Sequence, residues 1–169
     1  HLAASPSMRY LEKIDSNMVR LGYGLYGFNP PFQHLNLKPA LEMRATITSV
    51  RTVPPREGVG YGITFKSDKP MQVATISAGY FEGIERRLSN KGFIKIFGKS
   101  CPIVGRVSMN ITSIDVTEIP DIKIGDEVII ISSNSEDKNS AEANAKICDT
   151  IPYEILVNIP QHLKREIVK

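Results

Sequence analysis

From residue 40 to about residue 131 the chain alternates with a period of two, and that rhythm restricts it to β-structure. In "ALEMRATITSVRTV" apolar and polar residues take turns, so a strand there gives one face to a core and the other to water. "MQVATISAG", "GFIKIFG", "CPIVGRVSM", "ITSIDVT" and "DEVIIIS" are further strand-sized runs. Gly, Asp, Pro and Asn separate them at the spacing of an all-β barrel or sandwich. Beyond them the period changes. "SNSEDKNS" is a polar turn, "SAEANAKICDT" predicts a helix capped by Ser140, and "PYEILVNIP" predicts a second, opened by Pro152 and stopped by Pro160.

The front of the chain reads differently. "SPSMRYLEKI" is a short helical stretch that Ser5 can cap, with Pro6 suited to its first turn. "NMVRLGYGLYG" reads as a buried strand running into a glycine-rich loop. A helix followed by a strand, with nothing earlier to pair with, suggests that the beginning of a larger unit is missing. "FNPPFQHLNLKP" has no period and is proline-rich, the signature of a linker at a domain boundary. The expected division is 1–35 and 36–169.

Composition removes several function classes. The net charge is +3, and the 21 Lys and Arg are scattered among 18 acids with no basic stripe, which argues against nucleic-acid binding. There is no apolar run of about 18 residues, so nothing in the sequence spans a membrane as a helix. Cys101, Cys148, His1, His34 and His162 stand apart from one another, so no metal-ligand spacing exists and no metal is expected. The two cysteines read as reduced core residues of a cytoplasmic protein. No glycine-rich nucleotide loop is present.

Taken singly, the motifs that could carry chemistry have ordinary explanations. Arg20 lies among apolar residues and needs a partner, a cavity or a route to water. Gly22, Tyr23 and Gly24 offer bare backbone N–H groups that suit an anion or merely a tight turn. Tyr61, between Gly60 and Gly62 in "REGVGYGITF", is either a packing aromatic or a phenol held out to reach a substrate. Tyr80 in "ISAGYFEGIERRLSN" and Met109 in "PIVGRVSMN" fit a half-buried turn and a core filler.

Their order is far more specific. The succession "VRLGYGLYGFNP", "LKPALEMRATITSVRTV", "EGVGYGITF", "ISAGYFEGIERRLSN", "PIVGRVSMN", "IDVT", "GDEV", "TIPYEI" resembles the C-terminal portion of alanine racemases, in the family's order and over nearly the whole chain. Those are fold-type III pyridoxal 5'-phosphate enzymes, with an N-terminal (β/α)₈ barrel followed by a mainly β domain. The resemblance implies a mainly β fold: a β-barrel-like domain from about residue 36 with C-terminal helices, preceded by the last strand–helix units of the barrel. It also implies a cytoplasmic homodimer making D-alanine for cell-wall peptidoglycan from a small amino-acid substrate.

Residue roles follow from the same resemblance. Tyr61 matches the catalytic tyrosine that one subunit supplies to the other's site, opposite a lysine base. That lysine lies before His1 in the family, so the chain by itself is expected to be inactive. A free phenol, with a pKa near 10, is a poor base at neutral pH and needs positive charge nearby. Arg20 matches the arginine facing the cofactor's ring nitrogen, and His1 the histidine that buttresses it. Ser5, Gly22 and Tyr23 match phosphate-binding positions; Met109 and Tyr80 match positions lining the substrate pocket. Some positions depart from the family: Ala4 replaces an Asn, Asn110 an acid, Gln161 a phosphate-binding tyrosine, and "GYFEG" the commoner "GYADG". These changes leave a serine or broad-specificity racemase, or a degenerate paralogue serving as a dimerisation module, as the alternatives.

Overall fold

The computed structural model describes residues 3–13, 15, 17–28 and 36–168. The described residues form ten strands: β1 (Ala3–Ala4), β2 (Val19–Arg20), β3 (Met43–Val53), β4 (Gly58–Val59), β5 (Phe65–Lys66), β6 (Met71–Ile76), β7 (Phe93–Ile96), β8 (Lys99–Pro102), β9 (Thr112–Asp115) and β10 (Glu127–Ile131). Two short helices, α1 (Ala141–Ile147) and α2 (Pro152–Val157), follow. Six strands form one antiparallel sheet in the order β8-β7-β10-β3-β6-β9. The ends of that order meet: Ile103, just past β8, bridges Ile114 of β9, and Val104 N–H donates to Ser113 O at 2.9 Å.

β3 makes this possible. Its first half pairs with β10 and its second half with β6, and the register against β6 shifts between Ile47 and Ser49. A bulge bends a strand and raises its twist, so one eleven-residue strand serves both halves of the sheet. Ile47, Ile76, Ile94, Ile96, Ile114 and Val128 alternate inward into one apolar cluster. Each such side chain contributes about 1.5–3 kcal/mol on burial.

Ser140 caps α1 as expected, its hydroxyl accepting from Ala143 N–H at 3.1 Å. Pro152 opens α2, but the helix ends at Val157 with Asn158 as its cap, before Pro160 is reached. Ala145, Ile155 and Leu156 join the main core. Cys101 and Cys148 are free, buried thiols; burial above all pushes the Cys101 thiol up to about 11, with Asp115 adding to it. Among the described residues no helix is long and apolar enough to cross a membrane, and no cluster of acids, histidines and cysteines could hold a metal.

The front of the chain departs from the sequence reading in two ways. The segment around Arg20 is a two-residue strand whose side chains are exposed, parallel to β1. It is followed directly by a 3₁₀ turn over Tyr23–Tyr26. Apolar neighbours in a row suggested burial, yet no described element covers this strand. The stretch after Ser5 is a 3₁₀ helix over Ser5–Lys13, broken at Tyr10. Residues 23–28 are nevertheless joined to the sheet domain. Phe28 is buried in the main core, Ala40 N–H donates to Tyr26 O at 3.1 Å, and a Cβ on Gly27 would sit 1.7 Å from Lys38 O.

Candidate functional site

Tyr61 stands on a small hairpin made by β4 and β5. Gly60 (φ 74°) and Gly62 (φ 71°) flank it in left-handed conformations that turn the backbone back within three residues. The ring is 75% exposed. Asn90 ties the hairpin down, donating from Nδ2 to Thr64 Oγ1 at 3.2 Å and accepting from Gly105 N–H with Oδ1 at 2.6 Å. The far wall of the turn is Arg106: a Cβ on Gly60 would lie 3.1 Å from its N, and one on Gly62 3.8 Å from its Nε. A guanidinium therefore sits beside the turn that carries the phenol, and Arg106 leads through Val107 and Ser108 to Met109. Arg106 was not singled out in the sequence, where it is one basic residue among 21.

Tyr80 and Met109 are brought together by strand register. β6 and β9 pair Ile76 with Thr112, and the ladder continues past both strands. Thr112 Oγ1 donates to Ala78 O at 2.8 Å, Tyr80 N–H to Ser108 O at 3.0 Å and Phe81 N–H to Met109 O at 2.9 Å. Gly79 lies where the two segments touch; a Cβ there would fall 2.1 Å from Ser108 O. Glu82 closes the junction, its Oε2 accepting from Gly79 N–H and its Oε1 from Asn110 Nδ2, each at 2.8 Å. Tyr80 is 45% and Met109 55% exposed on this rim. An open cleft of about 650 Å³ lies against it, lined by Tyr80, Gly83, Ile84, Glu85, Arg86 and Asn158. Phe81 stacks on His162 at 5.0 Å and 28°, so two of the unusual stretches of the sequence meet in space.

A second group forms around residues 5 and 22. Ser5 is 2% exposed, and its hydroxyl accepts from Gly22 N–H at 3.0 Å. It thus spans 17 residues and leaves its own O–H free to donate. A Cβ on Gly22 would lie 2.9 Å from Tyr153 Oη, so the hydroxyl of α2 reaches the same small cradle. Tyr153 was not singled out in the sequence. The Tyr23 ring is held edge-on to Tyr153 and tilted against Phe28, both at 5.0 Å. Burial first, then the charge of Glu142 and the Tyr153 phenol, pushes the Tyr23 phenol above its ordinary range. Arg20 follows on β2 with its side chain exposed, beside Ala4 across the β1–β2 ladder. His1 lies outside the described residues. Gln161 is exposed in the turn after Pro160.

The site residues therefore fall into two groups, Ser5–Gly22–Tyr23–Tyr153 on one side and Tyr61–Arg106–Met109–Tyr80 on the other. Among the described residues no hydrogen bond or ring contact joins them.

The profile of the family described as "Alanine racemase, C-terminal domain" matches residues 40–167. The chain is 37% identical over 166 residues to the alanine racemase of Methylacidiphilum infernorum, covering 98% of this chain and 43% of that one. It is 40% identical over 169 residues to that of Halothermothrix orenii, covering 98% and 45%. Among solved structures it superposes on the alanine racemase from D-cycloserine-producing Streptomyces lavendulae with a TM-score of 0.87 and 32% identity, over 96% of this chain and 44% of that one. The Bartonella henselae alanine racemase "with covalently bound pyridoxal phosphate" gives 0.81 and 34%, over 89% and 41%. The chain spans less than half the length of the relatives it matches.

Proposed function

Because this chain belongs to the alanine racemase family, we propose that it is the C-terminal portion of a pyridoxal 5'-phosphate-dependent racemase that interconverts L- and D-alanine. In this reading residues 1–35 end a (β/α)₈ barrel and residues 36–169 form a barrel-like β domain. The protein acts in the cytoplasm, and its D-alanine product serves cell-wall peptidoglycan. The observation that carries the reading is Tyr61: an unhindered phenol, 75% exposed, on a turn that two left-handed glycines aim outward and a guanidinium flanks. A phenol so placed cannot serve a pocket in its own interior. It fits a pocket on a second copy of the chain, which makes the homodimer part of the mechanism.

Tyr61 would exchange a proton at its phenolic oxygen with the α-carbon of the substrate, on one face only. The Arg106 guanidinium flanks the turn that carries Tyr61, and a phenolic base needs positive charge of this kind nearby. Tyr80 and Met109, fixed to each other by the extended ladder, border the pocket that Tyr61 enters.

The cradle fits the phosphate end of the cofactor. Ser5 Oγ, held by Gly22 N–H, and Tyr153 Oη, which lies where a Gly22 Cβ would meet it at 2.9 Å, would donate to the phosphate together with the Tyr23 backbone. The cofactor supplies an electron sink that makes the α-proton labile. Arg20 would face the cofactor's ring nitrogen, where a guanidinium, a donor and not an acid, would leave that nitrogen unprotonated and the sink moderate. That no hydrogen bond or ring contact joins the two groups among the described residues supports their belonging to different subunits' sites.

The test is racemisation by the full-length protein. Alanine is expected to turn over with a higher kcat/KM than serine, and the protein to carry bound pyridoxal phosphate. Faster serine turnover would transfer the assignment to a serine racemase. Absence of both cofactor and turnover would leave only a dimerisation module.

A further inference from the structure

We propose that Glu82 and Asn110 form a positioning clamp for the substrate mouth, in which a single carboxylate and a neutral amide are both required. The clamp rests on the reading above that Tyr80 and Met109 border that mouth. The two residues are 28 apart in sequence, on separate segments. One Glu82 oxygen accepts from Gly79 N–H, fixing the turn that presents Tyr80. The other accepts from Asn110 Nδ2, fixing the segment that presents Met109, both at 2.8 Å. Both carboxylate oxygens are thereby used as acceptors, and both donors are N–H groups that cannot reverse role without a flip. Hydrogen bonds to a charged acceptor are the stronger kind, and this pair sits at the end of the ladder where the backbone bonds of Tyr80 and Phe81 stop. The unusual glutamate in "GYFEG" and the unusual asparagine after Met109 are therefore one coupled feature, not two independent changes.

The charge requirement is what a purely structural role would lack. Asn110→Asp sets a second carboxyl group against Glu82 at hydrogen-bond distance. Two carboxylates so close resist ionising together, so the second proton leaves only above the ordinary carboxylate range. At low pH the shared proton keeps the clamp closed. As pH rises and that proton leaves, two negative charges repel and the mouth opens. Wild type has an amide at this place and no such proton. The other titratable groups nearby are the same residues in both proteins: Tyr80 on the same turn, Glu85 beyond it, and His162 stacked on Phe81. Arg86 follows with a fixed charge, and the segment 107–111 carries no titratable side chain. Their effects cancel when variant and wild type are compared at each pH.

The experiment uses the full-length protein as wild type, Asn110→Asp, and the exchanged pair Glu82→Gln with Asn110→Asp. Two readouts are followed between about pH 6 and about pH 9: KM and kcat for alanine, and hydrogen exchange at the amides of Gly79, Tyr80 and Phe81. For Asn110→Asp, KM relative to wild type is expected to rise about tenfold across this range, with a smaller change in kcat and faster exchange at the three amides. In the exchanged pair the new side-chain amide at position 82 donates to the new carboxylate at position 110 and still accepts from Gly79 N–H. The pH dependence should then disappear. Exchange and KM that both stay parallel to wild type would overturn the clamp. Faster exchange with an unmoved KM would overturn the placement of this turn at the substrate mouth, and with it the positioning role. A double variant that keeps the pH dependence of Asn110→Asp would show that the pair does not act together.

Discussion

Gly105→Ala tests whether the placement of Tyr61 depends on the seam between its hairpin and the Arg106 segment. Gly105 is left-handed at φ 78°, and a Cβ there would fall 2.6 Å from Val59 O and 3.0 Å from Val59 C. A left-handed alanine costs roughly 1–2 kcal/mol in backbone strain. To reach the 3.4 Å of ordinary contact, Val59 O must retreat by 3.4 − 2.6 = 0.8 Å. That atom is backbone in β4, so the hairpin has to move as a body, adding an overpacking cost of about 1–3 kcal/mol. Together the loss of stability is about 2–5 kcal/mol, read from urea unfolding. A displacement of about 1 Å at a reacting group costs about 100-fold in rate. The control is Ile96→Ala, which opens a cavity in the core on β7 for a similar loss of about 2–5 kcal/mol but leaves the hairpin seam untouched. At a temperature where both variants are folded, Gly105→Ala should show about 100-fold lower kcat/KM for alanine and Ile96→Ala nearly the wild-type value. Equal activities in the two variants would refute the reasoning, because the seam would then be a stability feature alone.

Two further outcomes follow from the packing and the charges. Ser140→Ala removes the hydroxyl that accepts from Ala143 N–H and should cost about 1 kcal/mol, seen as a lower urea midpoint with an unchanged slope. Asp137→Asn tests a pH dependence: burial alone would raise the Asp137 pKa, but hydrogen bonds from Lys95 and Ser132 and the Lys95 charge outweigh it and lower it. A lowered folded-state pKa stabilises above the unfolded value, about 3.9, and that contribution fades as pH falls through the folded pKa. The stability gap between wild type and Asp137→Asn should therefore be level at neutral pH and close in acid; a gap that widens on acidification would contradict this.

How far the sequence spoke depended on the range of the interactions involved. The period-two runs and the Ser140 cap are local signals, and β3, β6, β7, β9, β10 and α1 appear where they predicted. The hairpin under Tyr61 has only two-residue strands, too short for any period, so its existence was visible only through the glycines. The joining of Tyr80 to Met109 was not legible, because it depends on pairing Ile76 with Thr112 across the chain. The same holds for Arg106 and Tyr153, which gain a place in the site through neighbours far away in sequence. The segment around Arg20 misled in the opposite sense: apolar neighbours suggested a buried strand, whereas β2 is exposed and gives Arg20 its route to water. Ser5 was read as a helix cap, and its hydroxyl instead holds Gly22.

The central claim is that the Tyr61 oxygen moves a proton on one face of the substrate. Two enantiomers have equal free energy, so any variant must show the same kcat/KM in both directions, and net racemisation cannot isolate one face. The direct measurement is exchange of the α-hydrogen with D2O, followed separately for L- and D-alanine in full-length Tyr61→Phe. Because the hydroxyl is exposed, its removal should leave stability within about 0.5 kcal/mol of wild type. Exchange should fall about 10²–10⁴-fold for one enantiomer and persist for the other. Equal retention of exchange for both, or an equal small loss, would contradict the account.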